Sequence, residues 1–243
     1  YRELIIAALG FEDVFLIVGS PSVKARAVEV LGRATQGLTG NLHWVELPYD
    51  DTWLRDSGPI TVLEGAKRIW LDFRFTGWGD KFEASLDDRI PEGLHALSCF
   101  SHLQRQRVDF ALEGGAIETD GDGTLLSTWT CLKRRHPGKT RGEIERVLGD
   151  TLGIDRFLWL EHGELDGDDT DAHIDTLARF AARDRIVYQS CDRPNDPHYD
   201  SLQRMAQELQ ALTTRQRQPF ELFPLPFAPP IVEVQTEAPG LAT

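Results

Sequence analysis

Glu113-Gly114-Gly115-Ala116-Ile117-Glu118-Thr119-Asp120-Gly121-Asp122-Gly123-Thr124-Leu125-Leu126-Ser127-Thr128 reads as a joint followed by a hairpin. Alternating stretches 116–119 and 124–128 flank Asp120-Gly121-Asp122-Gly123, residue types that turn a chain tightly enough to pair its two arms. A helix follows. It opens with the capping box Thr140-Arg141-Gly142-Glu143, in which the first and last side chains satisfy each other's backbone N–H groups. Strand 156–160 then completes a ββαβ unit.

Working outward, the same order recurs on both sides. Upstream, strands 59–64 and 68–75 pair around Gly65-Ala66-Lys67. A helical region from about 85 to 103, interrupted at Pro91, leads to strand 107–112. Downstream, 175–182 and 186–190 pair around Arg183-Asp184-Arg185, followed by a helix over 199–212 and a strand over 220–223. Ahead of all three units lie a helix end at 2–9 and a buried strand at 14–18. A helix capped by Ser20-Pro21 then runs to about Ala34, and strand 42–47 follows. Three units and a fragment would leave sheets uncovered. The sequence is therefore expected to lack one or two units, with the Pro-rich stretch 223–230 and a polar tail reaching Thr243.

Each unit is entered through a joint, and the joints carry the ionisable groups. Asp56, Glu113 and His173 are 57 and 60 residues apart, matching the repeat. Equivalent joints of a circular array meet at one end, around its axis. An isolated His-x-Asp such as His173-Ile174-Asp175 is equally an acidic loop entering a strand; the regular spacing favours a site. On an extended chain His173 and Asp175 point the same way. Gly58 and Gly114-Gly115 give the joints the backbone freedom that close approach demands.

Converging carboxylates suit a planar cation with forked donors, which is a guanidinium. A histidine beside them can protonate a departing amine and then activate water. Guanidine carbon is a poor electrophile, so such a site also wants a thiolate nucleophile.

The formal net charge of −13 over 243 residues argues against nucleic acid or an anionic membrane as partner and suits a small cationic substrate. No apolar run approaches the roughly 20 residues of a spanning helix. Cys99, Cys131 and Cys191 form no Cys-x-x-Cys pair. They read as reduced thiols of a cytoplasmic protein, each a small buried hydrophobe, and not as a zinc site. No metal and no cofactor are expected, since the remaining histidines lack ligand spacing. The acidic runs 120–124 and 166–171 miss the EF-hand pattern and read as solvated turns. Arg55 and Arg179 are expected to pair with the site's carboxylates or line its rim. Trp78 is expected to pack.

These motifs resemble one family. Asp51-Thr52-Trp53-Leu54-Arg55-Asp56-Ser57-Gly58-Pro59, Phe75-Thr76-Gly77-Trp78-Gly79, Leu112-Glu113-Gly114-Gly115 running into Asp120-Gly121-Asp122-Gly123-Thr124, and Asp168-Asp169-Thr170-Asp171-Ala172-His173-Ile174-Asp175 look like the agmatine deiminase and bacterial peptidylarginine deiminase family of the guanidino-group-modifying (pentein) superfamily. The resemblance extends from about residue 13 to 230.

It implies an α/β fold, a five-fold propeller of ββαβ units, here a single catalytic domain over 1–243. It also implies hydrolysis of agmatine to N-carbamoylputrescine and ammonia, a step toward putrescine, through a covalent thiouronium. Peptidylarginine or free arginine giving citrulline is the alternative substrate. By the same resemblance Asp56 and Asp175 clamp the guanidinium, with Gly114 in the binding joint. Glu113 and His173 handle protons and orientation, and Trp53 lines the alkyl arm, although packing in the core is an equally ready use of a tryptophan. Many members form dimers.

The departures are informative. No residue matches the family's nucleophilic cysteine near the C-terminus, and the family's opening Trp-Pro segment is absent. A chain ending at Thr243 would be expected to bind guanidines without turning them over. Ala172 stands where the family has glycine. Lys133-Arg134-Arg135-His136-Pro137 replaces an Asn-Arg-Asn-Pro-like loop, which bears on recognition of the far end of the substrate.

Overall fold

A hairpin extended on one side by a parallel strand is the unit that the three repeats share. The computed structural model describes residues 1–228, so Pro229, Pro230 and the tail to Thr243 lie outside the described residues. The chain opens with α1 (Arg2–Leu9), β1 (Val14–Val18), α2 (Pro21–Leu31) and β2 (Leu42–Glu46), and β1 and β2 pair in parallel. The single turn α3 (Leu54–Ser57) then feeds hairpin β3 (Ile60–Glu64) and β4 (Lys67–Arg74). A second single turn, α4 (Gly77–Asp80), and α5 (Ile90–His95) lead to β5 (Gln104–Ala111), parallel to β4.

The second unit holds β6 (Glu118–Thr119), β7 (Thr124–Thr128), α6 (Trp129–Arg135), α7 (Arg141–Leu152) and β8 (Arg156–Leu160). The third holds β9 (Ala178–Ala182), β10 (Arg185–Ser190), α8 (Tyr199–Ala211) and β11 (Glu221–Pro226). Sheet orders β3-β4-β5, β6-β7-β8 and β9-β10-β11 are identical, the middle strand antiparallel to the first and parallel to the third. This is an α/β fold of small mixed sheets. The first sheet holds β1 and β2 alone among the described residues.

The helices are placed by their apolar stripes. In α7, Ile144 and Leu148 are fully buried against Ile69, Leu71, Val108 and Phe110 of the first unit. In α8, Leu202, Met205 and Leu209 pack on Leu158, Ile174, Leu177 and Ile186. Full burial of a side chain of this size is worth roughly 1.5–3 kcal/mol. These contacts therefore weld each unit to the next and fix the joints between them. The expected capping box at Thr140 and Glu143 is formed, and Ser20 accepts the N–H of Val23.

Several boundaries differ from expectation for local reasons. Gly32, at φ 52°, ends α2 at Leu31, and a 3-10 turn, Gly32–Thr35, replaces its last residues. β1 is buried only at Val18, because its face meets an open apolar hollow. Lys67 belongs to β4, leaving Gly65-Ala66 as the turn. Pro91 starts α5 instead of interrupting it, since the first helical turn needs no proline N–H. Turns follow α5, and Cys99 within them is exposed, not a buried hydrophobe. The short helix α6, which the sequence pattern does not announce, follows β7 directly and carries Cys131. β11 runs on to Pro226, which an outer strand allows because one side of it needs no partner. No helix among the described residues is long and apolar enough to cross a membrane.

Candidate active site

The three joints fold alike, each as one short helical turn entering a hairpin: α3 before β3, Gly114–Ala116 before β6, and Ile174–Thr176 before β9. Gly114 lets the first two touch, since a Cβ there would stand 2.2 Å from the carbonyl oxygen of Arg55. Asp56, buried in the first joint, accepts the N–H of Gly115 from the second at 2.9 Å. His173 Nδ1, from the third, lies 3.7 Å from the same Asp56 oxygen. His173 Nε2 faces Glu113 Oε2, also at 3.7 Å.

Asp175 is not on a strand, as its spacing from His173 suggested, but in the 3-10 turn Ile174–Thr176. That turn still delivers both side chains to one place. A Cβ built on Gly115 would meet His173 Nδ1 at 2.5 Å, Asp56 Oδ1 at 2.7 Å and Asp175 Oδ2 at 2.9 Å. Bare glycine is thus the floor on which the joints converge. Asp56, Glu113, Gly114, His173 and Asp175 are brought together. Trp53 stands 60% exposed at the start of α3 and does not pack into the core of the described residues.

The charges are held by a buried clamp. On α6, Cys131 and Arg135 are four residues apart and share a face. The Arg135 guanidinium, wholly enclosed, donates Nε–H to Glu113 Oε1 at 2.6 Å, Nη1–H to Asp171 Oδ2 at 2.6 Å and Nη2–H to the Thr170 carbonyl at 2.9 Å. Lys81 and Arg134 add ion pairs to Asp171. Asp171 and Ala172 both adopt left-handed backbone, at φ 65° and 67°. Asp168 holds that bend by accepting the N–H groups of Thr170 and Ala172. Lys133 and Arg134 serve this scaffold too, Lys133 donating to the Pro137 and Lys139 carbonyls. Residues 133–135 therefore end a helix, and Arg134 and Arg135 grip the joint that carries His173.

Burial opposes the charge of Glu113, but His173 and Arg135 outweigh it and hold its carboxyl below the usual range. Asp171 is likewise opposed by burial, yet its cationic partners bring it to about 2. Asp175 moves the other way: burial, aided by the Asp56 charge, raises it against the pull of His173 and Arg55. Burial also pushes the Cys131 thiol well up, with Glu113 adding to it.

Trp78 packs against Phe75 and Ala84 as expected, but its indole N–H also donates to Asp56 Oδ2 at 2.9 Å. It does so from left-handed backbone at φ 58°, between glycines that share that conformation. Such strain in a bulky residue persists only where its surroundings over-determine it. Arg55 lies over Asp175, Nε to Oδ2 3.7 Å. Arg179 forms its ion pair with Glu118 at 2.6 Å and acts on Asp175 only as a more distant charge. In the acidic turn 120–124, Asp120 accepts the N–H groups of Asp122 and Thr124.

The buried clamp of Arg135 on Glu113 and Asp171, and the hydrogen bond from Trp78 to Asp56, escaped sequence reading. The available signal was charge complementarity between the basic run 133–135 and the acidic run 168–171. No metal was expected, yet Glu113, Cys131 and His173 place three ligand atoms within 4.8 Å of one another.

The family described as Porphyromonas-type peptidyl-arginine deiminase matches residues 1–240. The chain is 32% identical over 211 residues to agmatine deiminases of Ectopseudomonas mendocina and Pseudomonas aeruginosa, covering 83% of this chain and 56% of each relative. It superposes on a crystallised C. jejuni agmatine deiminase, a cysteine-to-serine variant with substrate bound. That match has a TM-score of 0.84 at 32% identity and covers 97% of this chain and 66% of the other. The chain spans about six-tenths of the length of the curated relatives it matches.

Proposed function

The chain belongs to the Porphyromonas-type peptidyl-arginine deiminase family, and from that premise we propose that its site takes a guanidinium cation and that the whole protein hydrolyses agmatine to N-carbamoylputrescine and ammonia. The observation that carries this reading is the convergence of Asp56, Asp175 and His173 over the bare backbone of Gly115. Two carboxylates face a space where forked N–H donors fit. An imidazole that can pass a proton stands between them. The relatives named above as agmatine deiminases support the choice of substrate.

In the reaction a thiolate attacks the guanidine carbon, forming a C–S bond, while His173 gives a proton to the amine that leaves as ammonia. Water activated by the same imidazole then adds, and the C–S bond breaks to release the ureido product. Cys131 is unsuited to the attack, being buried with its thiol pushed up. Cys191 is buried and Cys99 lies on an exposed turn. The thiolate is therefore assigned to a further unit of the protein, and the three ββαβ units with the β1–β2 pair to successive blades of an α/β propeller. The identical sheet orders and joints support that assembly. All three cysteines are free, in keeping with a cytoplasmic setting.

A second reading has its own support. The exposed Arg55 guanidinium beside Asp175 could receive the carbonyl or carboxylate of a peptidyl substrate, which agmatine lacks. The test begins with the intact mass of the complete polypeptide, followed by assay of ureido product from agmatine and from a blocked arginine. A mass above 27.4 kDa with preference for agmatine supports the first reading. Preference for blocked arginine replaces it with the second. A mass of 27.4 kDa with no product from either leaves a guanidine-binding protein.

A further inference from the structure

Behind the guanidinium-facing groups, three segments aim donor atoms at one buried spot: Glu113 Oε2, Cys131 Sγ and His173 Nε2, all within 4.8 Å of one another. None of the three residues is more than 2% exposed. Glu113 Oε2 and His173 Nε2 face each other at 3.7 Å and have no closer hydrogen-bond partner among the described residues, and buried polar atoms so weakly paired are costly unless something else uses them. The Cys131 thiol reaches only the Thr170 carbonyl, at 3.8 Å.

We propose that Glu113, Cys131 and His173 form a site for a single borderline-soft divalent cation of the zinc class, and that filling it takes His173 out of proton transfer. The donor set selects the metal. One thiolate, one imidazole and one carboxylate suit zinc or its spectroscopic stand-in cobalt, and not magnesium or calcium, which take oxygen ligands alone. The charges close: carboxylate and thiolate together neutralise a dication, the thiol proton leaving to solvent as the metal–sulfur bond forms. Donors of a tetrahedral zinc site stand about 3.3–3.8 Å apart. The Glu113–His173 separation of 3.7 Å lies at the long end of this. Cys131 must close in from within 4.8 Å, and the Glu113–His173 pair slightly.

The surrounding groups already have the orientation that a metal site needs. Arg135 occupies the other oxygen of Glu113, leaving Oε2 free to bind. Asp56 lies behind the second nitrogen of His173, the carboxylate–histidine–metal relation that fixes ring orientation. The Arg135 charge, which would otherwise repel a cation, is answered by Glu113 and by Asp171 at 2.6 Å. Depth makes loading slow. Binding stands apart from the deiminase reading; only its inhibitory consequence rests on that reading.

The test is titration of the chelator-treated protein with Co2+. The expected result is one equivalent bound, with a thiolate-to-cobalt charge-transfer band and intense visible bands of a four-coordinate site, both erased by Zn2+ displacement. Cys131→Ser abolishes the charge-transfer band, and Glu113→Gln weakens binding 10- to 100-fold. Cobalt bound without that band, or a band surviving in Cys131→Ser, overturns the proposal. If Cys131→Ser does not fold, zinc-edge X-ray absorption on the unaltered protein decides. One sulfur with nitrogen and oxygen neighbours supports the site, and a shell without sulfur overturns it. Either result is read without any turnover assay, so failure of the deiminase reading is scored separately.

Discussion

The floor and the rim of the site use the same charged residue types to opposite ends. On the floor, Arg135 meets Glu113 and Asp171 with every arm of its guanidinium engaged, and the carboxyls there sit below their ordinary range. On the rim, Asp175 has Arg55 at 3.7 Å as its one ion pair among the described residues, and despite the pull of His173 its carboxyl sits above that range. A guanidinium supplied by the protein has already satisfied the floor. The rim is left unsatisfied, which is the condition for accepting a guanidinium from outside. Charge satisfied within the fold stabilises it; charge left waiting costs stability and serves binding.

The largest expected effect comes from removing the floor's cation. Arg135→Met strands two buried carboxylates and should cost about 3–5 kcal/mol, read as a lowered denaturant midpoint. A loss below about 1 kcal/mol would put Arg135 on the side of function and dissolve the contrast. Next is Asp175→Asn. In the complete protein it should lower kcat/KM by roughly 10²–10³ and raise Tm at neutral pH, because it deletes a carboxylate that the fold disfavours. Near-normal turnover would sink the clamp role, and a fall in Tm would mean that Asp175 is structural.

Acid should separate the two regions again. The folded-state pKa of Asp171 is depressed from 3.8 to about 2. Its contribution is therefore complete above about pH 4 and lost as pH falls toward 2. Stability of Asp171→Asn should accordingly lack the drop between those values that the unaltered protein shows. Asp175, raised instead, should lose guanidinium affinity on acidification before the floor gives way. The smallest effect is Trp53→Ala, expected to change stability by no more than about 0.5 kcal/mol while raising KM. A larger loss of stability would restore a packing role.

Much of this was legible in the sequence, for identifiable reasons. Hairpins announce themselves locally: Gly65-Ala66 and 120–123 carry turn chemistry that no distant residue needs to complete. The joint positions of Asp56, Glu113 and His173 followed from the repeat length. What stayed hidden depends on contacts between units. Arg135 reads as one of several basic residues of a loop until α6 is seen against Thr170 and Asp171. The Trp78 indole reaches Asp56 from within a run of four consecutive positive-φ residues, Gly77 to Asp80, a conformation that a tryptophan gives no reason to expect. His173 and Asp175 met over Gly115 by a different local route, a 3-10 turn in place of a strand.

One feature of the fold bears on how the molecule behaves in bulk. β4, β7 and β10 each have a neighbour on both sides, whereas β1, which holds the same place before a helix and a parallel strand, pairs only with β2 among the described residues. Among the described residues one edge of Val14–Val18 is unpaired, beside an apolar hollow that includes Ile5, Phe15, Ile17 and Leu31. Such an edge is a template for strand addition. At low ionic strength the net charge of −13 keeps copies apart. With the Debye length shortened to about 3 Å at molar salt that colloidal barrier collapses, so turbidity that rises with salt marks a bare edge and a clear solution one already covered by another strand of the protein.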